Sequence, residues 1–179
     1  MRWLHNILKG RGRSMAALNT GAKAPDFKLR ALDGKPFSLT EALARGPVLL
    51  AFFKVSCPIC QYAFPYLERL HKAYREKGYT LVGVSQDNAK ETSAFNQEFG
   101  VTFPVLLDDT RTYPVSNAYG LTNVPTLFWI ASDGEIEISS VGWLKADFEE
   151  TGRKMAAAGR VSVVPVFKPR EEVADFRAG

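Results

Sequence analysis

Cysteine is almost missing from these 179 residues: there are two, Cys57 and Cys60. A structural disulfide framework uses several cysteines separated by long loops. A bridge between positions three apart closes almost no loop and constrains little unfolded-state entropy. The pair therefore calls for chemistry or a metal. Histidine is equally scarce, with only His5 and His71. Zinc takes four ligands, and these two are not placed to complete a set with the cysteines, so neither metal nor cofactor is expected. No run approaches the roughly 20 apolar residues of a spanning helix, which argues against stable membrane insertion. Acidic residues are missing from positions 1–14, which hold Arg2, Lys9, Arg11 and Arg13. These four make up the net charge of +4, and beyond them 19 basic residues balance 19 acidic ones. A nucleic-acid binder carries its basic face on the folded body, so no nucleic-acid partner is expected. Internal repeats are also absent.

The basic leader, about residues 1–19, has the short apolar run Trp3-Leu4-His5-Asn6-Ile7-Leu8. A secretory signal needs about 7–15 continuous apolar residues and a small-residue cleavage site; His5 and Asn6 break this run. The leader reads as a flexible segment, with Met15 a second start, or as a weak membrane-surface or targeting segment. The first reading gives a cytoplasmic protein as the expectation.

Between residues 20 and 158 the pattern is that of one α/β domain, a length sufficient for a full core. Asp33-Gly34 marks a hairpin turn. Thr40 is placed to cap a short helix through Ala44, stopped by Gly46-Pro47. Val48 to Phe53 is a continuous apolar run, as in a strand buried on both faces. A helix should follow from Cys57 to about Lys77, with Phe64, Leu67, Leu70 and Tyr74 on one face and Gly78 as its stop. Thr80–Ser85 is the next strand. Asn88 and Glu91 can form a capping box for a helix ending at Gly100. A short strand at Val105-Leu106-Leu107 and a short helix near Val115–Tyr119 come next. Strands at Leu127–Ile130 and Glu135–Ile138 flank Asp133-Gly134, a strong hairpin signal. A last helix covers Leu144 to Ala157. Residues 159–179, with Pro165, Pro169 and mixed charges, read as an extended tail, most simply a frayed terminus. Strands alternating with helices indicate a central mixed sheet flanked by helices.

The two cysteines sit where a buried strand gives way to a helix. Cys57 takes the N-cap and Pro58 the first helical position, where a missing N–H costs nothing. A thiolate on Cys57 could accept from the free amides of Ile59 and Cys60, and the helix dipole adds positive potential. Both are routes to a reactive cysteine. Residues i and i+3 on a helix have Cβ atoms about 5–6 Å apart, and a disulfide needs about 3.5–4.5 Å. A small adjustment of the first turn closes that gap. Cys57 is expected to be the exposed nucleophile and Cys60 the resolving thiol that releases a mixed disulfide. Two buried small hydrophobes would be the plainer reading of the pair, but strand, cap, proline and spacing all agree on redox chemistry.

The stretch Phe52-Phe53-Lys54-Val55-Ser56-Cys57-Pro58-Ile59-Cys60 resembles the active-site strand and helix start of thioredoxin-like proteins. Pro65 matches the helix-kinking proline of that family, five residues past the second cysteine. Val124-Pro125-Thr126 resembles its cis-proline loop, which packs against the cysteine pair and whose backbone before the proline pairs with substrate. The 65 positions from Cys60 to Pro125 exceed the spacing in thioredoxin itself. The extra helix–strand unit at about Ala89 to Leu107 is similar to the insertion of the redoxin branch, which includes TlpA-like reductases and peroxiredoxins. Gly21-Ala22-Lys23-Ala24-Pro25-Asp26-Phe27 is similar to that branch's opening. The resemblance implies a thioredoxin-like fold with an N-terminal hairpin, and support of the site by Pro58, Val124 and Pro125. One family feature is absent: Ala51 stands where thioredoxin carries a buried acid, six residues before the first cysteine. Proton transfer to Cys60 would need another group or water. Lys54 could help hold a thiolate, though a lysine at a strand end is more often simply solvated. Pro165 to Gly179 also resembles the tails of some bacterial redoxin-like proteins, in which a cysteine or selenocysteine follows such a glycine.

The expected activity is thiol–disulfide oxidoreductase, acting on protein or small-molecule disulfides, with a thioredoxin system or glutathione as the class of electron donor. The alternative is a peroxiredoxin-like peroxidase with Cys57 attacking a hydroperoxide. Peroxiredoxins hold that cysteine in a Pro-x-x-x-Thr-x-x-Cys pattern. Leu50 and Lys54 occupy those positions before Cys57, and Phe53 and Cys57 before Cys60, so neither register fits. A redox-silent binding module on the same fold is the third possibility.

Overall fold

The computed structural model describes residues 16–179. Most of the leader therefore lies outside the described residues. Residues ahead of the expected boundary at 20 already pack on the domain: Ala17 is buried, Leu18 N–H donates to Tyr119 O at 3.1 Å, and Ser139 Oγ donates to Leu18 O at 2.6 Å.

The expected N-terminal hairpin is present as β1 (Lys28–Ala31) and β2 (Pro36–Ser38), turning at Asp33-Gly34. Helix α1 (Leu39–Leu43) follows, but its N-cap is Ser38, whose hydroxyl accepts from Glu41 N–H, and not Thr40. The apolar run forms β3 (Val48–Phe53), buried at every position. Helix α2 (Pro58–Tyr74) ends earlier than expected. Arg75 already takes the left-handed cap conformation, donating to His71 O at 2.7 Å, so the chain turns before reaching Gly78. Then come β4 (Thr80–Ser85), α3 (Ala89–Phe99), β5 (Val105–Leu107), α4 (Pro114–Ala118), β6 (Thr126–Ile130) and β7 (Ile136–Val141). The Asn88 cap of α3 is as expected, its Oδ1 accepting from Glu91 N–H at 2.9 Å. After β8 (Trp143–Leu144) and α5 (Lys145–Gly159), the chain ends its described course through β9 (Phe176–Arg177).

The main sheet has the order β2-β1-β5-β4-β3-β6-β7. β3 pairs in parallel with β4, and β4 with β5; β6 runs antiparallel to β3 and to β7. The sheet is therefore mixed, and β3 is an interior strand between β4 and β6. Successive residues of a strand face opposite sides, so β3 feeds two cores. Leu49, Ala51 and Phe53 face the layer with Phe64 and Leu67 of α2, Phe148 of α5 and Trp143. Val48, Leu50 and Phe52 face Leu39 and Ala42 of α1, with Val115 and Tyr119 at α4. No described helix is long and apolar enough to cross a membrane.

Residues 160–179 do not fray. They run along α2 and α5 as a pinned strap. Tyr74 Oη and the Val164 backbone are joined twice, at 2.8 and 3.3 Å. Val166 is buried, and the Arg69 guanidinium grips Val166 O and both carboxylate oxygens of Glu171 at 2.8–3.0 Å. Trp143 Nε1 donates to Ala174 O at 2.6 Å. The strap ends by pairing β9 antiparallel with β8 in a separate two-stranded sheet, a pairing that no local signal in the sequence announces.

Candidate active site

Parallel β3 and β4 end on the same side of the sheet, and the turn Lys54-Val55-Ser56 leads from β3 into α2. Three hydrogen bonds shape that turn. Val55 N–H donates to Asp87 Oδ2 at 2.7 Å, Gln61 Nε2 donates to Val55 O at 2.9 Å, and Cys57 N–H donates to Lys54 O at 3.1 Å. Cys57 is thereby held as the extended N-cap of α2, with Pro58 at the helix start. Further along, Pro65 lies inside the helix and removes the amide that would have bonded Gln61 O.

Cys57 Sγ accepts from Cys60 N–H at 3.3 Å, so one of the two expected amides meets the sulfur. The Cys57 thiol donates to Val124 O at 3.3 Å. Both cysteines are free thiols, Cys57 half-buried and Cys60 with no exposed surface. Burial pushes the Cys60 thiol pKa far up, because the interior disfavours the charged thiolate; its contact with Cys57 and the negative charge of Asp87 push the same way, while the Lys54 backbone opposes. The two sulfurs thus differ in access, and the inner one is hard to ionise.

Val124–Pro125 is a cis peptide bond. The loop around it is fixed on both sides: Gly142 N–H donates to Pro125 O at 2.8 Å, and Thr126 Oγ1 donates to Asn123 O at 2.7 Å. Cys57, Cys60, Pro58, Val124 and Pro125 therefore come together at one end of the central strands. Lys54 is beside them, but its backbone makes the contact; among the described residues its ammonium joins no hydrogen bond or ion pair. Ala51 is buried on the same face of β3 as Cys60, so the position of the family's acid is apolar here.

Several neighbours escaped the sequence reading. Asp87 sits just past the end of β4, and the only available signal was its place beyond a strand adjacent to β3. Asn123 and Gly142 frame the cis-proline loop. Residues 176–179 also arrive here: Asn123 Nδ2 donates to Gly179 O at 2.9 Å, and the Arg177 guanidinium lies 4.2 Å from the centre of the Tyr62 ring.

Known proteins are similar to this chain in sequence and in fold. The thiol-disulfide oxidoreductase ResA of Geobacillus thermodenitrificans is 34% identical over 122 residues, covering 68% of each chain. The protein of the same name from Geobacillus kaustophilus is 33% identical over 135 residues, 74% of this chain and 76% of that one. The crystal structure of the thioredoxin domain of a thiol-disulfide oxidoreductase from Bacteroides vulgatus superposes with a TM-score of 0.68 at 25% identity, over 77% of this chain and 98% of that one. The fold is thioredoxin-like, with the mixed sheet flanked by helices. A model of the AhpC/TSA family matches residues 20–139, and the chain belongs to that family.

Proposed function

We propose that this protein is a thiol–disulfide oxidoreductase in which Cys57 is the nucleophile and Cys60 the resolving thiol. The observation that carries the reading is the asymmetry of the pair: a half-buried Cys57 whose Sγ lies between a helix N-terminus and Val124 O, and a fully buried Cys60 one turn behind it. The relatives named ResA, described as thiol-disulfide oxidoreductases, support it.

In the reducing direction, ionised Cys57 attacks one sulfur of a substrate disulfide. That S–S bond breaks, a Cys57–substrate disulfide forms, and the other substrate sulfur leaves as a thiolate that takes up a proton. Cys60 then loses its proton and attacks Cys57 Sγ. The second substrate sulfur leaves, and Cys57–Cys60 becomes a disulfide. Two electrons have passed to the substrate, and a thiol donor returns them, either one dithiol of the thioredoxin class or two molecules of glutathione. Reversal of the same steps oxidises a substrate dithiol. Pro58 starts the helix that faces Cys57, Val124 and Pro125 present backbone to the incoming chain, and Lys54 lends its carbonyl to the turn.

The test is a redox titration of the pure protein in glutathione buffers, with free thiols counted by alkylation and mass. One two-electron transition consuming both thiols is expected, absent in Cys57→Ser and in Cys60→Ser. Two thiols that stay free across the whole range would refute the reading. Steady hydroperoxide consumption with thioredoxin and its reductase, lost in Cys57→Ser, would transfer the assignment to a peroxidase.

A further inference from the structure

The carbonyl of Val124 has two neighbours. On one side is the Cys57 thiol, donating at 3.3 Å. On the other is Gly179. A Cβ at position 179 would lie 2.6 Å from Val124 O, closer than a side chain is accommodated without a shift of the backbone, and 3.1 Å from Gly142 Cα. Gly142 is equally tight from its own side: at φ +78, a Cβ there would lie 2.7 Å from Arg177 O. Two glycines therefore let residues 177–179 lie flat against the cis-proline loop.

The same residues are laid down as a strand. Trp143 pairs with Arg177 and Leu144 with Phe176, and Lys145 N–H donates to Asp175 O at 2.9 Å. Asn123 Nδ2 closes the end on Gly179 O. Sterics give this placement a consequence. In a protein mixed disulfide the two cysteine Cα atoms stand about 4.4–6.8 Å apart. A polypeptide bonded to Cys57 that runs its backbone along Val124 would enter the space that Gly179 fills, because the Cys57 thiol and Gly179 both lie against Val124 O. A small disulfide with no flanking chain needs no such space.

The strap is also unevenly held. Upstream of Asp175 it is pinned by the buried Val166, the Arg69–Glu171 pair and the Trp143–Ala174 bond. From Asp175 to Gly179 every residue is exposed, Phe176 by 60%. Few buried contacts and a short exposed ladder mark a segment that opens locally at low cost. Its anchor keeps it at high effective concentration when it is off.

We infer that residues 175–179 act as an intramolecular pseudosubstrate, occupying the polypeptide-pairing edge beside Cys57 and competing there with extended protein disulfides but not with small ones. This rests on the thiol–disulfide reading above and extends it by naming the class of substrate the tip selects against. Any protein substrate first displaces the tip, so its apparent affinity is the intrinsic affinity scaled by the undocked fraction.

The experiment compares the full chain with a chain truncated after Ala174, both reduced, on two disulfides: insulin and the small aromatic disulfide DTNB. Loss of the short ladder, the Asn123 bond and the Arg177–Tyr62 contact should raise kcat/KM for insulin by about ten-fold. The DTNB rate should stay within about two-fold. The synthetic peptide Val173–Gly179, added to the truncated chain, should raise KM for insulin without changing kcat. Arg177→Pro in the full chain removes the ring contact and a strand N–H while leaving the anchor intact; it should shift the insulin rate upward as truncation does, and it serves if the truncated chain does not fold. An insulin rate that is unchanged or lower in the variants, or a peptide without effect, overturns the inference while DTNB reduction keeps the redox reading alive. Failure of every form to reduce either disulfide overturns both.

Discussion

Cys57 and Cys60 are three residues apart, yet the structure gives them different surroundings, and Asp87 contributes to the difference. Its carboxylate accepts from Val55 N–H at 2.7 Å, and its charge adds to the burial that holds the proton on Cys60. Asp87→Asn keeps an oxygen for Val55 and removes the charge. In a Cys57→Ser background that change should let Cys60 ionise at lower pH and alkylate faster at neutral pH, because a pKa lower by one gives about tenfold more thiolate. An unchanged alkylation rate would show that Asp87 acts only through the turn. The two sulfurs, Pro58 and Val124-Pro125 were legible in the sequence because each signals through its own backbone or spacing. Asp87, Asn123 and Gly142 were not, because they meet the site through space, from other elements, and leave no spacing behind.

At the scale of elements, β3 and α2 carry the site, and their contact is aromatic. Phe64 has no exposed surface, and its ring centre lies 4.3 Å from that of Phe53, 5.4 Å from Phe95 and 5.9 Å from Phe103. Phe64→Ala should cost about 3–5 kcal/mol, read as a lower urea midpoint at unchanged slope. A loss below about 1 kcal/mol would mean that the helix is not seated on β3 through this ring. The apolar run of β3 and the periodic face of α2 were readable because burial imposes them directly on the sequence. Helix ends were less so: Ser38 caps α1 in place of Thr40, and Arg75 ends α2 ahead of Gly78, because a left-handed residue closed by the His71 carbonyl does not have to be glycine. β8 and β9 are two residues each and pair across the whole of α5 and the strap, so no local window contains their signal.

For the molecule as a whole, the strap from 160 to 179 decides how α2, α5 and the active site are tied together. Its main ionic pin is Arg69–Glu171. The hydrogen bonds from Arg69, and then from the Lys168 backbone, hold the Glu171 carboxyl down at about 2, against an ordinary 4.5. A lowered folded-state pKa means that the pin is fully present above about pH 4.5 and is lost as pH falls toward 2. Amide exchange around Val166–Ala174 should therefore rise as pH drops through that window beyond its intrinsic pH dependence, and Glu171→Gln should remove the extra rise. The expectation of a frayed tail failed because its proline and mixed charges read as disorder, while its partners, Tyr74, Arg69 and Trp143, lie about 30 to 100 positions away. The central claim remains that Cys57 attacks and Cys60 resolves. Its most direct test is to mix reduced Cys60→Ser with a protein disulfide and take the intact mass after acid quench. The account predicts a stable, dithiothreitol-sensitive adduct on Cys57 that the wild type does not accumulate. An adduct that accumulates equally in the wild type, or turnover that survives in Cys57→Ser, would contradict it.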